Sequence, residues 1–220
     1  MSSSLITIED NAFSGLKIEK IVIPNSVTYI GKNAFKECQL LSDVTLSDNL
    51  TEINEGLFNG CMALTQINIP SAVTKIDAFA FAGTSLASIV LPDNLKEIGQ
   101  RAFGHLSTLE TVDVPESVEV LRVEAFYDCS QLKTITLRNG VIEKYAFKQC
   151  NELTTVNFVE GLDQIDSYAF EGCLGLKELV IPKGVKVEPY AFNNCSIDNI
   201  ISRLLIIIFN MYYFQISPFM

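Results

Sequence analysis

Three sets of residues have the types and spacing that chemistry requires. The first is the six cysteines, Cys38, Cys61, Cys129, Cys150, Cys173 and Cys195, together with the one histidine, His105. Zinc sites draw on thiolate pairs roughly two to four residues apart, and the nearest cysteines here, Cys129 and Cys150, are 21 residues apart. A nucleophilic cysteine or serine needs a histidine and an orienting group beside it, and one histidine allows at most one such constellation. The second set is acidic: Asp43, Asp113 and Glu178, and separately Glu143, Asp166 and Glu188. Paired carboxylates cleave glycosides when about 5 to 9.5 Å apart, and rows of them can hold Ca²⁺ weakly. The third set is Tyr145, Tyr168 and Tyr190, whose phenols offer contact area with a polar tip.

What these sets can do depends on the elements that place them, and those elements repeat. Phe13, Phe35, Phe58, Phe81, Phe103, Phe126, Phe147, Phe170 and Phe192 follow one another at intervals of 21 to 23 residues. Alanine precedes eight of the nine, with Leu57 the exception, and an aliphatic residue stands five places before each, from Ile8 to Val187. Each unit also carries an apolar-x-apolar run, such as Ile21-Val22-Ile23-Pro24, Ile67-Asn68-Ile69-Pro70 or Ile135-Thr136-Leu137. Period-two alternation of β-branched residues predicts a half-buried strand, and the closing proline removes a ladder donor and turns the chain. A second strand is expected to run into the aliphatic residue, as in Val27-Thr28-Tyr29-Ile30. Two places after the phenylalanine stand Gly15, Gly60, Gly83, Asp128, Gly172 and Asn194, types that tolerate positive φ and mark a corner.

A unit of this size with one apolar face cannot bury that face alone, so the units must stack. The fold predicted is a mainly β repeat solenoid of about nine coils with short turns or helical corners, roughly 40 Å long at one strand spacing per coil. Its interior should hold ladders of Phe, Ala and aliphatic residues. All six cysteines fall three places after the marker phenylalanine, where Leu16, Thr84 and Leu106 stand in the other coils. A position shared by Cys, Leu and Thr reads as a small apolar slot holding reduced thiols. Side chains pointing in parallel suit disulfides poorly.

The repeat also weakens the catalytic readings. Asp43, Asp113 and Glu178 fall three coils apart, about 14 Å at that spacing, too far for an acid–base pair. Glu143, Asp166 and Glu188 share one position in consecutive coils and read as a solvated acidic edge. His105 reads as a surface turn residue. The tyrosines also share one position, expected to be exposed, either as a partner contact or as cover for the solenoid's side. Facing outward on the first strand of each unit are short polar or β-branched residues, among them Asn68, Asp113, Thr136 and Asn157, and such a regular face suits extended docking.

The chain has 16 Lys and Arg against 26 Asp and Glu, a formal net charge of −10. That balance argues against a nucleic-acid partner, which needs clustered cations. Hydrophobic residues make up 48% of the chain, which excludes disorder. The opening MSSSLITIED has neither a basic start nor an apolar run, so no secretory signal is expected there. The repeat body is assigned to residues 1–201 and a hydrophobic tail to residues 202–220. The tail reads as a membrane anchor, as a cap over the last coil, or as a mistranslated end. Residues 204–220 are the candidate for membrane contact, short for a spanning helix.

The pattern I-P-x-S-V-x-x-I-x-x-x-A-F-x-x-C-x-x-L-x-x-V-x-L at Ile23 to Leu46 resembles the BspA-type leucine-rich repeat, and nine copies extend the resemblance over residues 5 to about 201. The resemblance implies a right-handed leucine-rich stack and a role in adhesion at cell surfaces, toward host matrix proteins or other cells. It implies no catalytic residues and no cofactor. The function expected is a non-enzymatic protein-binding module with a protein or cell-surface partner. Contact would run through Asn68, Asp113, Thr136 and Asn157, with Tyr145, Tyr168 and Tyr190 as a secondary strip. An intracellular structural array or a fragment without a ligand of its own is the alternative, with a cytoplasmic location.

Overall fold

A computed structural model describes residues 5–202. Within them the chain winds as a parallel β-solenoid, each coil contributing up to two short strands, and no helix occurs among the described residues. The front strands are Lys20–Val22, Asp43–Thr45, Thr111–Asp113, Thr134–Leu137, Thr155–Phe158, Glu178–Ile181 and Asn199–Ser202. The flank strands are Thr7–Ile8, Tyr29–Ile30, Glu52–Ile53, Lys75–Ile76, Glu97–Ile98, Val120–Leu121, Gly140–Ile142, Leu162–Ile165 and Lys186–Val187. Every pairing is parallel and joins equivalent residues of successive coils, as in Ile135↔Val156 and Ile76↔Ile98. From Glu52–Ile53 to Lys186–Val187 the flank sheet is unbroken.

The ladders are as the period predicts. The nine marker phenylalanines form a continuous column, with neighbouring ring centroids 4.9 to 5.7 Å apart and planes within 5 to 17°. Phe35 through Phe170 are fully buried, Phe192 nearly so, and Phe13 at the first coil is half-buried. Beside them run buried columns of Ala and of Ile30, Ile53, Ile76, Ile98 and Ile165. A column of Leu41, Leu64, Leu86, Leu109, Leu132, Leu153 and Leu176 is wholly buried too.

The corners are turns, and they form a third hydrogen-bonded ladder. Eight marker phenylalanines donate their N–H to the carbonyl of the residue before the next phenylalanine, as Phe103 does to Ala125 at 2.9 Å. The residues two places after them do the same one coil on, as His105 does to Tyr127 at 2.8 Å. So do most residues two places before, as Phe79 does to Gln100. Aiming alternate N–H groups along the axis requires a left-handed residue on each side of the phenylalanine. The later position was legible in its Gly, Asp and Asn residues. The earlier was less so: Asn11, Asn33 and Gly56 stand there in the first three coils, but the other six hold Phe79, Arg101, Glu124, Tyr145, Tyr168 and Tyr190, all at φ between 50° and 63°. A left-handed non-glycine residue costs about 1–2 kcal/mol, and an inter-coil hydrogen bond returns a comparable amount, about 0.5–1.5 kcal/mol.

The front sheet departs from expectation in two coils. Ile67-Asn68-Ile69 forms no strand, and the next run contributes only the bridge Ser88↔Thr111. These residues alternate as well as their equivalents do, so composition is not the cause. The interruption coincides with wide spacing in the phenylalanine column, 5.7 Å for Phe35–Phe58 and Phe58–Phe81. The flank sheet stays paired through these same coils.

Gly140 shows how little room the flank allows. It sits at φ +78° beside a shift in strand register, and a Cβ there would lie 2.0 Å from the Glu119 carbonyl oxygen. Gly140→Ala is expected to destabilise the chain by more than about 1 kcal/mol, read from urea unfolding midpoints; an unchanged midpoint would contradict this packing.

Candidate interaction faces

The cysteines hold the coils together without bridges. All six are free, five fully buried and Cys195 half-buried. Each Sγ donates to the carbonyl of the marker phenylalanine one coil back: Cys38 to Phe13 at 3.0 Å, Cys61 to Phe35 at 3.1 Å, Cys129 to Phe103 at 3.0 Å. Cys150, Cys173 and Cys195 repeat this toward Phe126, Phe147 and Phe170. Burial pushes the Cys61 thiol up to about 12, and raises Cys150 and Cys173 well above the usual range. A thiol held protonated is neither a metal ligand nor a nucleophile.

His105 stands at a surface turn with a carboxylate beside it. Its Nδ1 lies 3.0 Å from Asp128 Oδ2, one coil on, and its ring meets Tyr127 edge-on at 5.1 Å. Both side chains of the His105–Asp128 pair are about half exposed, and among the described residues no serine or cysteine hydrogen-bonds to His105. The pair closes a surface corner.

The acidic row is also less solvated than its sequence suggests. Glu143 accepts from Arg122 Nη1 at 2.9 Å and from the Val123 N–H at 3.0 Å. Asp166 accepts from Gln164 at 2.5 Å, and Glu188 pairs with Lys186 at 2.5 Å. Each carboxylate is half-buried and turned to its own donor, so the three do not converge. Among the described residues no group of His, Cys, Asp and Glu is placed to hold a metal ion.

On the front face, Asp113, Thr136 and Asn157 are strand partners in direct register, Asp113↔Thr136↔Asn157. Asp113 and Asn157 are exposed and Thr136 is half-buried. Asn68 is exposed as well, but it lies across the interruption and is not laddered to the others. Arg138 joins this face although sequence reasoning passed it over. Its guanidinium takes the Asp113 carboxylate and donates to the Val114 carbonyl at 2.7 Å. The Asp113 carboxylate holds it charged, above its ordinary range. The available signal was a broken pattern, since Arg138 stands where Pro24, Pro70, Pro92, Pro115 and Pro182 close their strands.

Tyr145, Tyr168 and Tyr190 do form one strip. Their rings stack at 5.5 and 5.3 Å; Tyr190 is 40% exposed and the other two are half-buried. Lys144 Nζ sits 5.1 and 5.5 Å from the Tyr145 and Tyr168 ring centres, and Lys148 Nζ lies 4.8 Å from Tyr145. Such cation–aromatic contacts are worth about 0.5–1 kcal/mol at exposed sites. The strip therefore carries two lysine cations over its rings, one of them, Lys148, also paired with Glu171 at 2.8 Å.

Parallel coils of 21 to 23 residues around Phe, Leu and Ile columns, with one regular strand face left open, define a leucine-rich-repeat protein. The sequence model of the BspA type leucine rich repeat region matches residues 1–86 and 74–199, with six copies, and the chain belongs to that family. Among solved structures it is similar to a leucine-rich repeat protein from Eubacterium ventriosum, with 23% identity and a TM-score of 0.72 over 87% of this chain and 63% of that one. A leucine-rich repeat protein from Bacteroides ovatus matches at 24% identity and a TM-score of 0.67, over 91% and 65%. The pneumococcal vaccine antigen PcpA matches at 24% and 0.59, over 90% and 54%. The chain thus spans less than two thirds of the length of these relatives. Comparison with curated proteins gives no match. Repeat stacks of this family are typically scaffolds for protein interaction rather than enzymes.

The front strand Asn199–Ser202 runs to the first residue of the assigned tail, and the rest of the tail expectations, whether anchor, cap or mistranslated end over 202–220 and membrane contact through 204–220, lie outside the described residues. Among the described residues no helix is long and apolar enough to cross a membrane.

Proposed function

We propose that the chain is a non-enzymatic binding module, with residues 1–201 as its repeat body, that engages a protein partner at a cell surface through its front face. The observation that carries this reading is the registered row Asp113, Thr136 and Asn157, with the exposed Val22, Val90 and Val180 at the equivalent strand position of other coils. Such a face offers short polar groups and aliphatic contact with few long side chains to immobilise, which lowers the entropic cost of docking. The strip of Tyr145, Tyr168 and Tyr190 is the secondary contact. Location at the cell surface and a role in adhesion rest on family membership.

Capture of surface-labelled host-cell proteins by the immobilised chain tests the reading. Changing Asn68, Asp113, Thr136 and Asn157 together to alanine should abolish capture. The fold should survive, because the exposed Asp113–Arg138 pair contributes at most about 1 kcal/mol. Undiminished capture by the quadruple variant would overturn the front-face reading, and a chain confined to the cytosol would overturn adhesion.

A further inference from the structure

The front face carries an open notch of about 700 Å³ where the sheet resumes after its interruption. Its lining includes Ile89, Val90, Asp93, Asp113, Glu116 and Arg138. Val90 is 85% exposed, the most exposed large aliphatic side chain among the described residues, while Ile89 beside it is buried. Three carboxylates and one guanidinium line the notch, and that guanidinium is already engaged by Asp113 and the Val114 carbonyl. Asp93 and Glu116 are exposed and make no ion pair among the described residues. Arg138 shows what this wall accepts: a planar cation taken by a carboxylate and a backbone carbonyl together.

We propose that this notch receives an extended, cationic segment of a partner protein, alternating basic and aliphatic side chains. The aliphatic positions cover Val90, and the cations meet Asp93 and Glu116. This rests on the front-face reading and names the partner's chemistry there. Charge complementarity argues for a basic occupant: the notch carries a net charge of −2 (three carboxylates, one guanidinium) within a chain of net charge −10. Opposite charge at a rim speeds encounter and selects register.

The probe is a fluorescein-labelled Arg-Val-Arg-Val-Arg peptide titrated against the full chain and read by fluorescence anisotropy, with Glu-Val-Glu-Val-Glu as its counterpart. The basic peptide should bind saturably and at least about tenfold more tightly than the acidic one, weakening with added salt. Asp93→Asn with Glu116→Gln should weaken it at least about fivefold. Glu152→Gln with Asp163→Asn, an equal charge change away from the notch, should leave it within about twofold. No saturable binding, or equal weakening by both double variants, would overturn the proposal, the latter because attraction would then be diffuse. Asp113 is left intact here, so the outcome is separate from the quadruple test. A chain that loses its partner in that test yet binds both peptides alike keeps the front face and loses the notch.

Discussion

Phe103→Ala is expected to lower the unfolding free energy by about 3–5 kcal/mol, the range for removing a buried phenylalanine from a core. The ring stacks on both sides, against Phe81 at 5.5 Å and Phe126 at 5.1 Å, and is wholly buried. Its loss opens a cavity between coils that cannot collapse, since the corner ladder and flank sheet fix the coil spacing. In a stack held by nearest-neighbour interfaces, an interior defect weakens two interfaces at once. Phe13 stacks on one side only and is half-buried, so Phe13→Ala should cost less than half as much. Urea unfolding of both variants checks the pair. Equal losses would mean that the column does not carry the stability.

Raising the pH should destabilise the chain steeply, through the thiols. Burial raises Cys61 to about 12 from an ordinary value of 9.0, and raises Cys38, Cys150 and Cys173 as well. Below about pH 9 both folded and unfolded chains hold these protons, and the stabilisation is complete. Above that the unfolded chain releases them while the folded chain cannot, so stability falls with rising pH until about 12 for Cys61. Cys61 contributes a slope of about 1.4 kcal/mol per pH unit across that window. Urea midpoints measured over that range should therefore fall faster than in Cys61→Ala, whose own slope lacks one thiol. At neutral pH, Ellman's reagent should find the five buried thiols unreactive until urea is added. Prompt reaction of the native chain would refute their burial.

The lysines over the tyrosine strip and Arg138 in the notch show where sequence reading stops. Lys144 and Lys148 are ordinary surface residues in sequence, and nothing in their spacing says that their ammonium groups lie over phenol rings. Tyr145, Tyr168 and Tyr190 could be read as one row, because they share one place in consecutive repeats. Their left-handed backbone could not, because tyrosine is among the types least suited to it. His105 likewise gains Asp128 only because residues 23 apart become neighbours once coils stack.

Periodicity by itself determined the coil, its inward columns, its outward strand face and the buried cysteine slot. Each follows from one apolar face recurring at a constant interval, which stacking alone can bury. Only the tertiary structure decided which coils pair on the front and which do not, where the notch opens, and which residues take left-handed conformations. Those outcomes depend on the distance between coils, set jointly by ring contacts and by hydrogen bonds between residues about 22 positions apart, and no local stretch of sequence encodes that distance.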